Sequence, residues 1–113
     1  MALTISTPDP AKLLADIKSA IKEGKVKTWS VDGDGDFTHS AEQWRYRAWF
    51  KPTLGISELR LYILAPKATA ISKVVYAVYH GRFIEAILSH FDTDVTSLRA
   101  SSLPEGNDIV ASS

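Results

Sequence analysis

A run of alternating aspartate and glycine, "DGDGD" from Asp32 to Asp36, is the first stretch whose residue types could do chemistry. Three carboxylates at two-residue steps could begin a calcium loop of the EF-hand type. Such a loop also needs a glycine at its sixth position and a glutamate at its twelfth, where this chain has Phe37 and Gln43. The flanking segments are rich in strand-forming residues, and Gly and Asp tolerate positive φ. We therefore predict a hairpin turn here and no dedicated metal site; weak, adventitious cation binding by the three carboxylates is the alternative.

The segment "EQWRYRAWFKP", residues 42–52, alternates apolar and basic residues. Because successive side chains of a strand point to opposite faces, this pattern predicts a strand with one core face and one outer face. The predicted core set is Trp44, Tyr46, Ala48 and Phe50. Strand-like patterns also cover 25–31, "KVKTWSV", and 57–64, "SELRLYIL". The predicted outer face of the sheet carries Lys27, Trp29, Arg45, Arg47, Trp49, Lys51, Arg60 and Tyr62.

This outer face combines aromatic rings with cations. The formal charge of the chain is zero, but residues 43–82 hold seven basic residues and one acid, a net charge of +6. Trp, Tyr and Arg dominate the hot spots of protein interfaces. Rings and cations on a sheet also bind single-stranded nucleic acid through base stacking and phosphate contacts. We predict a binding or adaptor module that recognises a protein partner, or a second copy of itself, through this face. RNA or single-stranded nucleic-acid binding by the same face is the alternative.

Catalytic patterns are weak in this sequence. In "YHGRFIE", His80 and Glu85 could act as base and acid beside Arg82, but in a helix Glu85 lies more than a turn beyond His80. The chain has no cysteine, which excludes thiolate nucleophiles and thiolate metal ligands. It contains no nucleophile elbow and no phosphate-cradling glycine loop. We predict no enzymatic activity and no cofactor.

Two helices flank the predicted strands. The first covers 10–23, since Asp9 can cap it, Pro10 suits its first position and Gly24 can end it. The second follows "APKATA", with Thr69 as its predicted cap. Its apolar residues recur at alternating three- and four-residue steps, which indicates one core-facing stripe. The members of this stripe are Val74, Ala77, Gly81, Ile84, Leu88 and Phe91.

Residues 73–79, "KVVYAVY", can also be read as a strand, with "HGRF" as a turn behind it. We favour one long helix through Gly81, where a small residue would let the helix approach the sheet closely. The segment "DVTSLRA" can then add a short edge strand.

The predicted fold is α+β, a two-layer sandwich in the order α-β-β-β-α. Its three strands form an antiparallel meander, a short fourth strand can join them, and both helices cover one sheet face. Residues 1–100 are predicted to form one domain, followed by a flexible tail over 101–113. The sequence shows no signal-peptide pattern and no apolar run long enough for a membrane span, which predicts a cytoplasmic protein without membrane contact. The short, cysteine-free chain favours a bacterial or phage origin.

Overall fold

The α+β class is confirmed in the computed structural model, which describes residues 3–104 and 108. Two helices pack with a six-stranded antiparallel sheet of order β2-β3-β4-β5-β1-β6. In chain order the elements are β1 (Leu3–Ser6), α1 (Pro10–Lys22), β2 (Trp29–Val31), β3 (Phe37–His39), β4 (Trp49–Leu54), β5 (Glu58–Leu64), α2 (Lys73–His90) and β6 (Ser97–Ala100).

Helix α1 forms where its end signals predict it. The carboxylate of Asp9 accepts a hydrogen bond of 3.1 Å from the Lys12 N–H, and Pro10 occupies the first turn, where it has no helical hydrogen bond to lose. Leu13 and Ile17 are buried. Beyond the helix, Gly24 has a φ of 78°, which a residue with a side chain rarely adopts.

The sheet contains two strands that the sequence did not predict, β1 and β3, and β1 lies inside the sheet and not at its edge. Strand β1 lies between β5 and β6, with Leu3 opposite both Leu61 and Ala100. It has only four residues, so its apolar alternation is too short to distinguish it from a loop. Strand β6 confirms the short edge strand predicted in "DVTSLRA" and completes the sheet on that side.

The hairpin turn predicted at 32–36 is confirmed, since it joins the antiparallel strands β2 and β3. The strand predicted at 25–31 is shorter than expected and begins at Trp29. The backbone N–H groups of Lys25 and Val26 both donate to the carbonyl oxygen of Ala20, at 2.9 and 3.2 Å. These residues therefore complete the C-terminal end of α1 instead of joining the sheet.

The strand predicted over 42–52 is wrong in its first half. Residues 41–47 form a turn in which the N–H groups of Trp44 and Arg45 both donate to the carbonyl oxygen of Ala41, at 2.9 and 2.8 Å. Strand β4 begins only at Trp49 and continues through Pro52, which was predicted to end it. Proline is tolerated there because β3 pairs with β4 only at Phe50, so beyond that point β4 has a strand neighbour on one side only.

Helix α2 is confirmed as one helix, but its start and its buried face differ from the prediction. Ser72 caps it in place of Thr69, since the Ser72 hydroxyl accepts from the Val75 N–H at 3.1 Å. The residues that α2 buries lie on a different side of the helix from most of the predicted stripe: Val75, Tyr79, His80, Phe83 and Ile87. Large aromatic rings fill the core better than the small residues of that stripe do.

Most of the predicted stripe of α2 therefore faces outward, but Phe91 is buried in the core as predicted and Ile84 is half-buried against it. Val74 is 60% exposed, Leu88 is 51% exposed, and a Cβ added at Gly81 would meet no atom of the described residues within 4 Å. The expected close approach of Gly81 to the sheet is wrong. Glycine at this position weakens the helix by about 1 kcal/mol relative to alanine, and no contact within residues 3–104 requires it.

The core lies between the sheet and both helices. Phe83 of α2 packs edge-on against Trp29 with ring centroids 5.0 Å apart and lies 5.4 Å from the rings of Phe37 and Phe50. This places β2, β3 and β4 against α2, and α1 contacts β2, β4 and β5. The opposite face of the sheet has no helix over it among the described residues.

Most of the predicted flexible tail, residues 101–113, lies outside the described residues. The structure describes only 101–104 and 108 of it. The hydroxyl of Tyr76 donates to the Ser101 carbonyl oxygen at 2.9 Å, and the Asp108 carboxylate accepts from the Ile63 N–H at 3.0 Å. Within the described part of the chain, neither helix combines the length and apolarity that crossing a membrane requires.

Candidate functional site: the open face of the sheet

Four of the predicted outer-face residues lie together on the sheet face opposite the helices. Lys51 of β4 is paired with Tyr62 of β5, and Trp49 and Arg60 lie on the same face of these strands. Their neighbours along each strand, such as Phe50 and Leu61, are fully buried on the core face. The alternation of buried and accessible residues along β5 therefore defines an open face whose centre is β4 and β5.

The other four residues are not on this part of the sheet. Trp29 is 3% exposed and belongs to the core, because β2 turns its ring toward Tyr79 and Phe83. Lys27 lies in the turn before β2, where its carbonyl oxygen accepts from the Ser40 hydroxyl. Arg45 and Arg47 are exposed residues of the 41–47 segment and not of a strand. Placing all eight residues on one strand face was therefore wrong.

Tyr46 is the residue of the site that the sequence assigned to the core. It is 58% exposed, and its ring stacks on Trp49 with an interplanar angle of 15° and ring centroids 6.2 Å apart. The guanidinium of Arg45 lies 5.3 Å from the centre of the Tyr46 ring, within cation–π range. We call the following six residues the open-face cluster: Arg45, Tyr46, Trp49, Lys51, Arg60 and Tyr62.

Buried hydrogen bonds fix the 41–47 segment that carries Tyr46. The Thr38 hydroxyl donates to the Ala48 carbonyl oxygen at 2.9 Å and accepts from the Tyr46 N–H at 3.2 Å. The hydroxyl of Tyr79, from α2, donates to the Trp44 carbonyl oxygen. Strand β3 and helix α2 together therefore set the position of an exposed aromatic residue.

Tyr46 also has an unusual backbone conformation, with a φ of 60°. A bulky residue in the left-handed region is strained, by an amount of order 1–3 kcal/mol, and keeps this conformation only where its surroundings enforce it. Two hydrogen bonds hold it in this conformation, one from the Tyr46 N–H to the Thr38 hydroxyl and one from the Tyr79 hydroxyl to the Trp44 carbonyl oxygen. Strain of this kind concentrates at binding and catalytic sites.

The open-face cluster carries net positive charge, although Glu58 compensates the charge of Arg60. The Nε and Nη2 atoms of Arg60 both donate to Oε1 of Glu58, at 3.1 and 2.8 Å, and this ion pair raises the pKa of Arg60. Arg45, Lys51 and Arg99 have no ion-pair partner among the described residues, and Arg99 continues the same face because Thr4 lies between it and Arg60. The face therefore has cations available for an anionic partner.

The three aspartates of the hairpin turn lie beside this region. Their carboxylates come within 4.8 Å of one another, and Oδ1 of Asp32 accepts from the N–H groups of Asp34 and Asp36, at 3.0 and 2.9 Å. The bond from Asp34 closes an Asx turn, in which the Asp32 side chain takes the place of a backbone carbonyl group. Burial raises the pKa of Asp36, and the nearby Asp32 raises it further, while Lys51 and Lys18 oppose the increase. The two lysines already compensate part of the negative charge.

The candidate catalytic residues of α2 do not converge. His80 is buried, with Nδ1 at 2.7 Å from the Tyr76 carbonyl oxygen and its ring against Tyr76 and Phe50. Glu85 lies on the exposed side of the helix, 3.6 Å from Arg82. His80 therefore serves the packing of α2 against the sheet, and Glu85 is directed away from it.

His39 makes the stability of the 41–47 segment depend on pH. Its Nδ1 accepts from the Ala41 N–H at 3.1 Å, and burial lowers the pKa of His39 below its ordinary value of 6.5, with Arg82 lowering it further. Because the folded state resists protonation, its stability is complete above pH 6.5 and falls as the pH drops below that value. We expect the free energy of unfolding, from urea titrations between about pH 7.5 and pH 5, to decline with acid.

The matched variant for this experiment is His39→Asn, whose side-chain oxygen can accept from the same N–H but does not titrate. Asp36 has a raised pKa, so its contribution to stability changes with pH in the opposite direction. The quantity to compare is therefore the difference in the free energy of unfolding between the wild type and His39→Asn. The difference should shrink as the pH falls. A constant difference across this range would show that His39 is not the group responsible.

Comparison of the chain with protein-family models, curated proteins and solved structures gives no match. The chemistry of the open face is therefore the basis on which its ligand has to be inferred.

Proposed function

We propose that the protein is a binding module that recognises a protein partner through the open-face cluster. The observation that carries this proposal is the exposed Arg45–Tyr46–Trp49 stack, held in a strained conformation by buried hydrogen bonds. Rigid aromatic side chains lose little conformational freedom on binding and therefore make effective interface anchors. The cytoplasmic location and the bacterial or phage origin remain predictions.

The composition of the site favours a partner with carboxylates around an apolar centre. Trp49 lies opposite Leu64 on the open face, so an apolar patch adjoins the cations Arg45 and Lys51. Complementary charges at the rim of an interface speed association, and the buried aromatic centre contributes most of the affinity. The partner surface that fits is thus an acidic segment with at least one large apolar side chain.

Nucleic acid is the alternative ligand, and two contacts make it less favourable. The ring of Tyr46 is already covered by Trp49 and approached by the Arg45 guanidinium, which uses surfaces that a base would need for stacking. Glu58 occupies the guanidinium of Arg60, which reduces the charge available to phosphates. The remaining cations give this alternative a clear signature, a steep fall of affinity with salt.

The test is affinity capture from nuclease-treated lysate with three immobilised proteins: the wild type, Trp49→Ala and Ile56→Ala. Ile56 is 97% exposed at the β4–β5 turn and provides a matched loss of apolar surface outside the cluster. We expect proteins captured by the wild type and by Ile56→Ala to be lost from Trp49→Ala. A hot-spot aromatic contributes 2 kcal/mol or more, which corresponds to a loss of affinity of about 30-fold or more.

Two results would contradict the proposal. One is identical capture by all three proteins, which would place any interface elsewhere. The other is capture only before nuclease treatment, together with salt-sensitive binding of mixed oligonucleotides, which would support the nucleic-acid alternative.

A further inference from the structure

His39, the last residue of β3, is joined by its side chain to the turn that carries part of the open-face cluster. Its ring is buried, and Nδ1 accepts from the Ala41 N–H at 3.1 Å. A backbone N–H can only donate, so Nδ1 carries no hydrogen and the ring is neutral, with its hydrogen on Nε2. Nε2 is buried and has no hydrogen-bond partner among the described residues. The hydrogen bond that the ring makes within the described chain is therefore the one to Ala41.

A second proton on this ring is incompatible with the closed turn. It would have to go to Nδ1, where it would point at the Ala41 N–H, and two donors cannot form a hydrogen bond with each other. The charged ring would also lie among aromatic rings, with the centroids of Trp29 and Tyr79 at 5.2 and 6.2 Å. A buried charge without a hydrogen-bonded partner is strongly disfavoured. Protonation therefore requires the ring to release Ala41 and to reach water.

The charged groups around His39 do not compensate such a proton. Burial lowers the pKa of His39, Arg82 of α2 lowers it further, and Glu85 of α2 raises it by less. Strand β2 and the rest of β3 contain no ionisable side chain. Lys27 and Glu42, in the turns that adjoin the two strands, are exposed. No carboxylate of the described residues is thus buried beside the ring to pair with a positive charge.

The bond to His39 holds the residue on which the 41–47 turn is built. Ala41 is fixed through both of its backbone groups, since its N–H donates to His39 and its carbonyl oxygen accepts from the N–H groups of Trp44 and Arg45, at 2.9 and 2.8 Å. A ring that releases the Ala41 N–H therefore frees the start of the turn. The positions of Arg45 and Tyr46 depend on that start.

The turn is also the part of the site that opens most readily. Tyr46 is strained at a φ of 60°, and opening the turn relieves this strain. The packing of Trp29, Phe50 and Phe83 against one another involves no residue of the turn. The turn can therefore open while the sheet and α2 remain folded, as a local event with its own free energy.

We propose that His39 is a pH switch for the open-face cluster: the neutral ring closes the 41–47 turn and presents the Arg45–Tyr46–Trp49 stack, and protonation opens the turn and separates the stack. The ligand is then bound more weakly in acid. This consequence for binding rests on the proposed function, whereas the opening of the turn does not.

The size of the effect follows from proton linkage. In the open turn the ring is solvated and titrates near the ordinary histidine value of about 6.5, and in the closed turn it resists protonation. The ratio of open to closed turn should therefore rise about tenfold from pH 7.5 to pH 5.5, because the open form alone takes up the proton in this range.

Amide hydrogen exchange of the protein alone tests the switch without any partner. The protection factor of the Tyr46 N–H, which corrects for the intrinsic effect of pH on exchange, should fall about tenfold from pH 7.5 to pH 5.5 in the wild type. It should stay constant in His39→Asn, and the amides of β5 should keep their protection in both proteins. The proposal is overturned if the Tyr46 N–H is equally protected at both pH values, if His39→Asn responds as the wild type does, or if β5 loses protection equally.

The charges of α2 give a second test that leaves the His39 ring in place. Because Arg82 lowers the pKa of His39 and Glu85 raises it, Arg82→Gln should raise the pH at which the ring titrates and Glu85→Gln should lower it. NMR signals of the ring report this midpoint. The Tyr46 amide and the Trp49 indole signals should move with the same midpoint in each protein. A ring that titrates while these two signals stay unchanged would overturn the switch.

Affinity for a partner isolated by capture separates this proposal from the proposed function. The wild type should bind that partner more weakly at pH 5.5 than at pH 7.5, relative to His39→Asn at the same two pH values. If Trp49→Ala loses the partner while the wild type and His39→Asn bind it equally at both pH values, the proposed function stands and the switch is overturned. If no captured protein depends on Trp49, the proposed function fails, and hydrogen exchange at Tyr46 still decides whether His39 opens the turn.

Discussion

Replacing Trp29 with alanine should lower the free energy of unfolding by about 3–5 kcal/mol, the usual cost of removing a large aromatic side chain from a core. The Trp29 ring is 3% exposed and contacts the rings of Phe50, Tyr79 and Phe83. Its loss would leave a cavity between β2 and α2 that these neighbours can only partly fill. Small domains have a total stability of about 5–15 kcal/mol, so the variant should be close to unfolding. Urea denaturation followed by circular dichroism measures this loss.

Trp49→Ala is the matched control for Trp29→Ala, because it removes the same side chain from the open face. Trp49 is half-buried and stacks mainly on Tyr46, so its loss should cost about 1 kcal/mol. Similar large losses for both variants would contradict the assignment of Trp29 to the core and Trp49 to the outer face. The two variants thus separate folding from binding in residues of the same type.

Thr38→Val should destabilise the fold by about 1–3 kcal/mol, since it leaves buried polar groups without partners. Valine has nearly the same shape, but it can neither donate to the Ala48 carbonyl oxygen nor accept from the Tyr46 N–H. The loss should be concentrated in the 41–47 segment, whose backbone these bonds fix. We expect faster amide hydrogen exchange at Tyr46 and weaker partner binding, although residue 38 lies outside the open-face cluster.

Thr53→Val is the control for this substitution, because Thr53 lies half-buried on the open side of β4. Thr53→Val should change the free energy of unfolding by no more than about 0.5 kcal/mol. If Thr38→Val lowered stability while hydrogen exchange at Tyr46 and binding were unchanged, the hydroxyl of Thr38 would not be what holds Tyr46 in place.

Local signals predicted the elements whose ends carry caps and turn residues. Asp9 and Pro10 indicated the start of α1, and the aspartates and glycines of 32–36 indicated the hairpin. The alternation of β5 also predicted its buried face. Each of these features depends on residues close together in the chain, so pattern and propensity were sufficient.

The errors arose where contacts distant in sequence decide the structure. Period-two alternation over 42–52 is typical of a strand, but side-chain hydrogen bonds from Thr38 and Tyr79 hold the 41–47 turn and the Ala48 carbonyl group that follows it. In α2 two apolar stripes compete, and aromatic packing against β2 and β3 selects the one that contains Tyr79 and Phe83. The sequence contains both alternatives, and only tertiary packing distinguishes them.

The candidate site was only partly predicted, because contacts distant in sequence also determine it. Trp49, Lys51, Arg60 and Tyr62 follow from strand alternation and lie together on the open face. Tyr46 was missed because its exposure depends on a positive φ that tertiary hydrogen bonds impose. A tyrosine between two arginines, "RYR", beside a tryptophan is the one local signal that could have suggested an exposed stack.

The most direct test of the proposed function is a ¹H–¹⁵N NMR titration of the protein with the partner isolated by affinity capture. The chain has three tryptophans, whose indole N–H signals can be followed separately. We expect the Trp49 indole signal and the backbone signals of Tyr46, Lys51 and Tyr62 to shift on binding, while the signal of the buried Trp29 indole stays in place. Shifts concentrated on α2 or on the 32–36 turn, with the Trp49 signal unchanged, would contradict recognition by the open-face cluster.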